Sequence, residues 1–417
     1  MYKKVISFLH VFKNEILLSS LFIFPLLSIN YIGFLGVLVS ILLIIINFKK
    51  EKLVFKTKAV VLSMAFYALL LFSLIYSQNI SNGFKEIGKT ILIAVFPISI
   101  IVFSRIRKEW FNQMLLLFVI INIILCSYIF GLAIEILSYK KMIFLKEANI
   151  FEKINTFIKT PYNIPFNWSS RNFEVYLFFH KAYISLSLCL SALAGFYLLI
   201  NKKKRVLETV LLIIATVIIS YFVFYMRSAP NMMGYVIGIL ILSLSFFKNK
   251  PKRIIVTLTL ILGLGFFFKG KIVNASSKLL TQIENDFRKD IWLCGWEVTK
   301  SNLVLGLGLG DQEDIMLDCY KEKLEQPSYL KIYEEKMNSH NQYISFVMSA
   351  GVICLIAFLL LIYRNISAAI KTSDLLFLAF MVLILINFLF ENILDRIYGV
   401  FFFSFFNSFF IKRNITL

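Results

Sequence analysis

Three basic residues, His340, Arg227 and Arg288, have positions and side chains that could support chemistry. His340 is one of only 3 histidines in 417 residues, and it directly precedes the apolar run 342–363. A neutral imidazole can accept a proton as a general base. Arg227 lies between two apolar stretches and Arg288 lies in a polar segment. Because a guanidinium can hold phosphate through two parallel hydrogen bonds, these residue types indicate chemistry on an anionic group.

Each of these residues also allows a purely structural interpretation. Arg288 and Trp292 are four residues apart, so a helix would place both on one face. From the spacing alone, an arginine at the lipid headgroups beside an interfacial tryptophan is the stronger interpretation. Arg227 could likewise extend to the interface, because a charge close to hydrocarbon costs about 2–3 kcal/mol unless it is hydrated or paired. The glycine-rich run 306–311 lacks the features of a nucleotide-binding loop and predicts a flexible turn.

The composition identifies the class of protein in which these residues must work. Hydrophobic residues make up 59% and charged residues 16% of the chain, and the mean hydropathy is +0.80. So much apolar surface predicts a multi-pass membrane protein. The net charge is +20, but the basic residues flank apolar stretches, so we expect no nucleic-acid partner. The first apolar stretch lacks a small-residue cleavage site and is expected to stay as an anchor.

Apolar stretches that could cross a bilayer number about twelve, at ~20 residues for each crossing. They are 16–29, 31–47, 59–77, 90–103, 110–136, 175–200, 206–225, 230–247, 254–268, 342–363, 374–390 and 397–411. The first two could instead form one helix over 16–47. At ~1.5 Å per residue, that helix would exceed a hydrocarbon core of ~30 Å. The sequence therefore predicts an all-α polytopic membrane protein of about twelve transmembrane helices, beginning with a helical hairpin.

Basic residues cluster in alternate connections between these stretches, as expected from the positive-inside rule. The clusters are Lys3, Lys4 and Lys13; Lys49 to Lys58; Arg105 to Lys108; Lys202 to Arg205; Lys248 to Arg253; Arg364 and Lys371; and Lys412 and Arg413. We therefore predict that both termini are cytoplasmic. The long polar connections 137–174 and 269–341 then form two outer loops, the second before the tenth span. No separate soluble domain is apparent, so 1–417 is predicted to be a single integral membrane domain.

The 5 cysteines show no metal-ligand spacing. Cys126, Cys189 and Cys354 lie within predicted spans and are expected to be packing residues. Cys294 and Cys319 share the second outer loop. They could pair in an oxidising compartment or remain free thiols, and the sequence leaves both alternatives open.

The order and membrane placement of these motifs resemble the O-antigen ligase/polymerase family of large bacterial membrane glycosyltransferases. The family pattern is Arg-x-x-x-Trp, a glycine-rich turn, a variable outer loop, and His-Asn before a span that contains a glycine. An earlier arginine at a tight turn and a His-x-x-Tyr motif accompany it. The matching residues are Arg288 and Trp292; Gly306 and Gly308; His340 and Asn341; Gly351; Arg227; and His180 and Tyr183.

The resemblance implies transfer of a glycan from undecaprenyl diphosphate to an acceptor hydroxyl at the outer face of the inner membrane. It implies that Arg227 and Arg288 stabilise the leaving diphosphate and that His340 takes the acceptor proton. Residues implied to bind substrate are Trp292, Asn341, His180 and Tyr183. Since the leaving group is already activated, we expect no metal and no cofactor.

The resemblance leaves more than one function open. A ligase would attach the glycan to a lipid A-core sugar in lipopolysaccharide biosynthesis, and a polymerase would join it to another lipid-linked repeat. The ligase is slightly favoured because the motif order is closest to that branch. A transporter or flippase for lipid-linked sugars is the alternative from another class, although inverted repeats and charges deep within spans are not evident. The expected partners are the lipid-linked donor, a lipid or glycan acceptor and the bilayer, with the active site facing the periplasm.

Overall fold

The computed structural model describes residues 12–48, 57–139, 181–201, 205–246 and 287–416. Every regular element in these ranges is helical, and no strand occurs among them. Within them, 7 helices are long and apolar enough to cross a membrane, by length and composition. The all-α membrane class is thereby confirmed, whereas the count of about twelve spans is not. The predicted span 254–268 lies outside the described residues, as does all but the beginning of the predicted outer loop 137–174.

The α-helices of the described ranges are numbered here in chain order. They are α1 (Lys13–Ser20), α2 (Ile29–Asn47), α3 (Lys58–Phe72), α4 (Ile80–Thr90), α5 (Leu92–Phe96), α6 (Lys108–Tyr139), α7 (Lys181–Asn201), α8 (Val206–Tyr225), α9 (Ala229–Ser243), α10 (Arg288–Lys300), α11 (Gln312–Glu322), α12 (Pro327–Glu334), α13 (Gln342–Lys371), α14 (Leu375–Phe390) and α15 (Ile397–Thr416). The candidate spans are α2, α3 with its extension to Tyr76, α4 and α5 continued to Phe103, α6, α7, α8 and α13. Two further apolar helices, α9 and α14, are shorter.

The N-terminal helices form the predicted hairpin and not a single long helix. After α1 a 3-10 helix over Leu21–Leu26 contains Pro25, and the backbone is extended at Leu27 before α2 begins. A proline ring removes a backbone donor and disfavours further helix. Asn14 and Asn47 each donate a side-chain hydrogen bond to the other's carbonyl oxygen, at 3.4 and 2.8 Å. The start of α1 therefore lies beside the end of α2.

The chain divides into two compact units. The first unit comprises 1–56, 95–236 and 397–417, and the second comprises 57–94 and 237–396. The assignment of 1–417 to a single integral membrane domain stays a prediction.

Aromatic packing forms the core of the first unit. The α15 residues Phe401 and Phe405 are fully buried, as are Phe22 and Phe24 of the N-terminal 3-10 segment. The ring centroids of Phe22 and Phe405 are 4.9 Å apart, and those of Phe24 and Phe401 are 4.8 Å apart. Such aromatic pairs contribute ~0.5–1.5 kcal/mol each beyond area burial. The phenylalanine-rich end of the sequence thus holds the N-terminal hairpin in place.

A sharp turn within α13 shapes the second unit. Phe66 of α3 contacts both Phe346 and Phe358, with ring centroids 5.0 and 5.2 Å away. The rings of Phe346 and Phe358 are themselves 4.8 Å apart. In a straight helix these two residues would be separated by ~18 Å along the axis. The helix must therefore change direction between them.

The change of direction occurs at Ala350 and Gly351, where the backbone is not helical and Gly351 has φ 75°. Buried backbone groups released by such a break need new partners, especially at membrane depth. The glycine-rich run and its neighbours supply these partners. The N–H of Leu307 donates to Met348 O at 2.6 Å, and the N–H of Gly308 donates to Ser349 O at 3.0 Å. In the other direction, the N–H of Val352 donates to Leu303 O at 2.8 Å. The run 306–311 is thus a closely packed turn, which corrects the expectation of a flexible one.

Helices α10, α11 and α12 pack around a small buried core of their own. Its fully or largely buried members are Ile291, Cys294, Met316, Cys319, Tyr320, Tyr329, Ile332 and Met348. Cys294 and Cys319 are joined by a disulfide, so of the two alternatives the paired one is realised. The remaining cysteines, Cys126, Cys189 and Cys354, are buried, which confirms their role in packing. That this segment lies outside the membrane stays a prediction.

Candidate active site

Glu391 brings two of the predicted site residues together in the second unit. One oxygen of its carboxylate lies 3.6 Å from Arg288 Nη2, and the other lies 3.4 Å from His340 Nδ1. All three side chains are only partly exposed, at 33% for the arginine, 28% for the histidine and 20% for the glutamate. A histidine whose Nδ1 faces a carboxylate is held in one orientation, and its Nε2 is then the nitrogen available to accept a proton.

The backbone around His340 turns abruptly before α13 begins. His340 has φ 44°, in the left-handed region, and its N–H donates to Asn338 Oδ1 at 3.2 Å. Non-glycine residues adopt this conformation rarely and at some cost in energy, and such positions are frequent at functional sites. With this backbone turn, the imidazole lies beside the carboxylate of Glu391.

Asn341 caps the helix that follows the histidine. Its Oδ1 accepts hydrogen bonds from the N–H groups of Tyr343 (3.0 Å) and Ile344 (3.2 Å), and its Nδ2 donates to Leu389 O at 3.3 Å. Capping in this way satisfies backbone donors that a helix start leaves open, and is worth ~1 kcal/mol. The His-Asn pair therefore combines a predicted site residue with the cap of the helix that follows it. A substrate-binding role for Asn341 stays a prediction.

A buried polar network holds Glu391 at the end of α14. Asp395 accepts from Asn392 Nδ2 at 2.7 Å and from Gln342 Nε2 at 3.2 Å. Gln342 Oε1 in turn accepts from Leu394 N–H at 2.6 Å. Burial raises the pKa of Asp395. The side chain of Gln342, the first residue of α13, thus joins that helix to the segment that directly follows Glu391.

Arg288 and Trp292 both lie on α10, so their four-residue spacing belongs to a helix, as considered from the sequence. Trp292 packs against the core shared by α10, α11 and α12. Its indole Nε1 is buried, and no described residue accepts a hydrogen bond from it. Buried polar groups are normally satisfied, so a donor left open beside an arginine suits an oxygen-rich ligand.

Arg227 and Tyr183 belong to the first unit. Arg227 lies in the tight turn between α8 and α9, has φ 51° and is exposed. Asn231 Nδ2 donates to Ala182 O at 2.8 Å and to Ser228 Oγ at 2.9 Å, which ties this turn to the start of α7, where Tyr183 lies. His180 lies outside the described residues. That these residues share a site with Arg288 and His340 stays a prediction.

Sequence reasoning identified Arg288 and His340 but missed Glu391. The available signal was modest: an acidic residue directly at the end of an apolar stretch, two predicted spans after His340, on the side that alternation assigns to the outer face. No spacing rule joins residues so far apart, and only the fold shows the contact. Within the described ranges, no group of three or more His, Cys, Asp or Glu side chains could hold a metal ion.

Fold and site together define a multi-pass helical membrane protein in which one carboxylate contacts both an arginine and a histidine at helix ends. Residues 181–359 match the family model described as O-antigen ligase, and this confirms the predicted resemblance to the O-antigen ligase/polymerase family. That family consists of bacterial inner-membrane enzymes of the glycosyltransferase type. The match includes Arg227, Arg288 and His340, whereas Glu391 lies beyond it. A comparison with curated proteins finds no match.

Proposed function

We propose that the protein transfers a glycan from undecaprenyl diphosphate to an acceptor hydroxyl at the outer face of the inner membrane, with a lipid A-core sugar as the favoured acceptor. The observation that carries this proposal is the carboxylate of Glu391 between Arg288 and His340. Because Arg288 and His340 contact the same carboxylate, an anion-binding group and a proton acceptor are within reach of a single bound substrate.

The chemistry follows from these roles. The acceptor oxygen attacks the anomeric carbon of the glycan and forms a new C–O bond. The bond from that carbon to the diphosphate oxygen breaks, and both its electrons leave with the lipid diphosphate. His340 takes the acceptor proton, while Arg288 and Arg227 stabilise the negative charge that grows on the leaving group. A diphosphate is already an activated leaving group, so the proposal uses no metal and no cofactor.

Glu391 and Trp292 support this reaction in different ways. The carboxylate orients the imidazole and stabilises the imidazolium that forms when the proton is taken up. The buried indole N–H of Trp292 is available to donate to a phosphate or sugar oxygen. We assign His180, Tyr183 and Asn341 to substrate binding, as the family resemblance implies.

The proposed orientation places the site in the periplasm and both termini in the cytoplasm. The disulfide between Cys294 and Cys319 supports this orientation, because such bonds persist in oxidising compartments and are rare in the cytosol. A reporter enzyme that works only in the periplasm should therefore be active when fused at Gln326, between α11 and α12, and a reporter that works only in the cytoplasm should be inactive there. Cytoplasmic activity at this position would contradict the site model.

Transfer by purified protein tests the proposal directly. With a labelled lipid-diphosphate glycan and an acceptor in nanodiscs, the native chain should form product, and His340→Ala should lower the rate by roughly 10²–10⁴-fold, the usual contribution of a general base. Arg288→Lys and Arg227→Lys should also impair transfer, since an ammonium keeps the charge but loses the planar fork. Near-normal turnover by a well-inserted His340→Ala protein would exclude the assigned base.

Two alternatives predict different products. Deletion of the gene distinguishes a polymerase of the same family from a ligase. Loss of a polymerase leaves surface glycolipid capped by a single repeat. Loss of a ligase leaves full-length glycan on the lipid carrier. If it is a transporter for lipid-linked sugars, the purified protein moves labelled donor across the bilayer without forming any product.

A further inference from the structure

The face of α10 that points away from its buried core carries an ordered stripe of side chains. Lys289, Leu293, Trp296 and Lys300 follow one another at intervals of three or four residues, so they share one face. All four are exposed, and Trp296 is 51% exposed. The opposite face is buried around Cys294. An exposed leucine and tryptophan between two lysines is the pattern of a helix that lies in a lipid headgroup region.

The chain directly after α10 extends this apolar surface. Leu303, Val304 and Leu305 are all exposed, and Val304 is 58% exposed. Their backbone is nevertheless fixed, because Leu303 O accepts from Val352 N–H at 2.8 Å and Leu305 O accepts from Tyr76 Oη. Three consecutive exposed apolar residues on a fixed backbone form a contiguous patch, and such patches mark interaction sites. We call Leu293, Trp296 and residues 303–305 the apolar patch.

The apolar patch is continuous with the lipid-facing surface of two spans. On α13 the exposed side chains Val352, Ile353 and Ile356 begin where Leu303 is bonded. On the extension of α3, Ile75 is 76% exposed and directly precedes Tyr76.

The lengths of these spans place the apolar patch at the edge of the hydrocarbon. From the break at Gly351, the rest of α13 runs to Lys371, about 20 residues or ~30 Å, which is one hydrocarbon thickness. The span Lys58–Tyr76 has 19 residues and is of similar length. Both contacts of residues 303–305 are therefore made at the ends of spans.

We propose that the apolar patch lies in the leaflet on the side of the active site, where acyl chains cover the apolar side chains and lipid phosphates contact Lys289 and Lys300. The helix α10 then has three surfaces: a buried one, one in the lipid, and an adjoining one with Arg288 and Trp292. The bilayer thus holds Arg288 at the depth of lipid phosphate groups. This last consequence rests on the proposed function, whereas the lipid contact itself does not.

Fluorescence of Trp296 tests the lipid contact without any measurement of activity. A chain with Trp110, Trp168 and Trp292 replaced by phenylalanine retains Trp296 as its single tryptophan. In nanodiscs containing lipids brominated on the acyl chains, we expect strong quenching of this tryptophan and little quenching by aqueous iodide. As the matched control, the same chain with Trp296→Phe and Glu325→Trp should be quenched by iodide and not by bromolipid, because position 325 is exposed outside the patch.

Either of two other results would overturn the proposal. Quenching of Trp296 by iodide alone would place the patch in water. Protection from both quenchers would show that protein, such as a second copy of the chain, covers it.

A second measurement avoids the multiple tryptophan substitutions. A benzophenone amino acid at Val304, in the otherwise native chain, should crosslink on illumination to a species with the mass of the nanodisc phospholipid. The same probe at Glu325 should give no such adduct, and absence of a lipid adduct at position 304 would contradict the proposal. Both measurements remain informative if no glycan transfer is found, so failure of the proposed function and failure of the lipid contact are distinguishable.

Discussion

One carboxylate oxygen of Glu391 contacts His340 and the other contacts Arg288. The two contacts have different consequences for the two side chains. The contact to Nδ1 orients the imidazole for its proposed role as a base, while the contact to the guanidinium offsets part of the positive charge that would attract the proposed diphosphate. Removing the carboxylate should therefore harm proton transfer more than donor binding.

We predict that Glu391→Gln lowers kcat by roughly 10- to 100-fold, less than loss of the whole base, with the KM for the donor unchanged or lower. The amide keeps the shape of the side chain but cannot stabilise the imidazolium. Steady-state kinetics in nanodiscs would measure both constants, and Glu391→Asp should recover part of kcat. Glu297→Gln is the control, because Glu297 pairs with Lys323 on the far side of α10. A raised KM with normal kcat would assign Glu391 to donor binding.

At the scale of elements, the break in α13 and the glycine-rich turn depend on each other. Gly351 has φ 75°, and a Cβ there would collide with the backbone carbonyl of Val304. Gly306 has φ 78° and would meet the backbone of Ala350 and Gly351 if it carried a Cβ. The break separates the short helix that follows His340 from the long helix that crosses the membrane. The turn therefore fixes the direction of the short helix that begins beside His340, the proposed base.

We predict that Gly351→Ala destabilises the folded protein by at least about 2 kcal/mol, because it combines a left-handed backbone with a backbone clash. The apparent Tm in detergent should fall clearly, and transfer activity should fall with it. Gly88→Ala is the matched control, since a Cβ at this exposed helical position meets nothing within 4 Å. Equal Tm values for the two variants would show that the tight contact at Gly351 is not required.

At the scale of the whole molecule, the membrane orientation stays a prediction from the distribution of charge, and the disulfide between Cys294 and Cys319 supports it. Basic residues lie in alternate connections, which predicts that α10, α11 and α12 face the periplasm. The disulfide that joins α10 to α11 closes a chain segment of sequence separation 25. Closing a loop of this size contributes ~3 kcal/mol by restricting the unfolded chain.

We predict that, in cells able to form periplasmic disulfides, Cys294 and Cys319 resist alkylation until a reductant is added to the unfolded protein. The buried thiols Cys126, Cys189 and Cys354 should react on unfolding alone. Mass spectrometry of differentially alkylated peptides would separate the two groups. In a strain without the enzymes that form periplasmic disulfides, all five cysteines should react on unfolding alone. Reduced Cys294 in normally grown cells would argue against the assigned orientation.

Much of the architecture follows from the sequence because it depends on local composition. Apolar runs of sufficient length must form helices in lipid, which gave the class of protein and the N-terminal hairpin. The family motifs likewise lie at helix starts and turns that short-range rules describe, such as the cap formed by Asn341. The count of about twelve spans is not confirmed, since apolar helices such as α9 and α14 are shorter than the length that identifies a span.

The tertiary structure alone decided which distant residues meet. His340 and Glu391 lie 51 positions apart in sequence, and no periodicity links the start of one helix to the end of another. The partner of the glycine-rich turn was also hidden, since glycines are compatible with a close approach of backbone but do not indicate which distant segment approaches. Local sequence therefore determined that this chain forms membrane helices and where its arginine and histidine residues lie along them. The proximity of His340, Glu391 and Arg288 required the packing of α10, α13 and α14, because only long-range contacts bring the ends of these helices together.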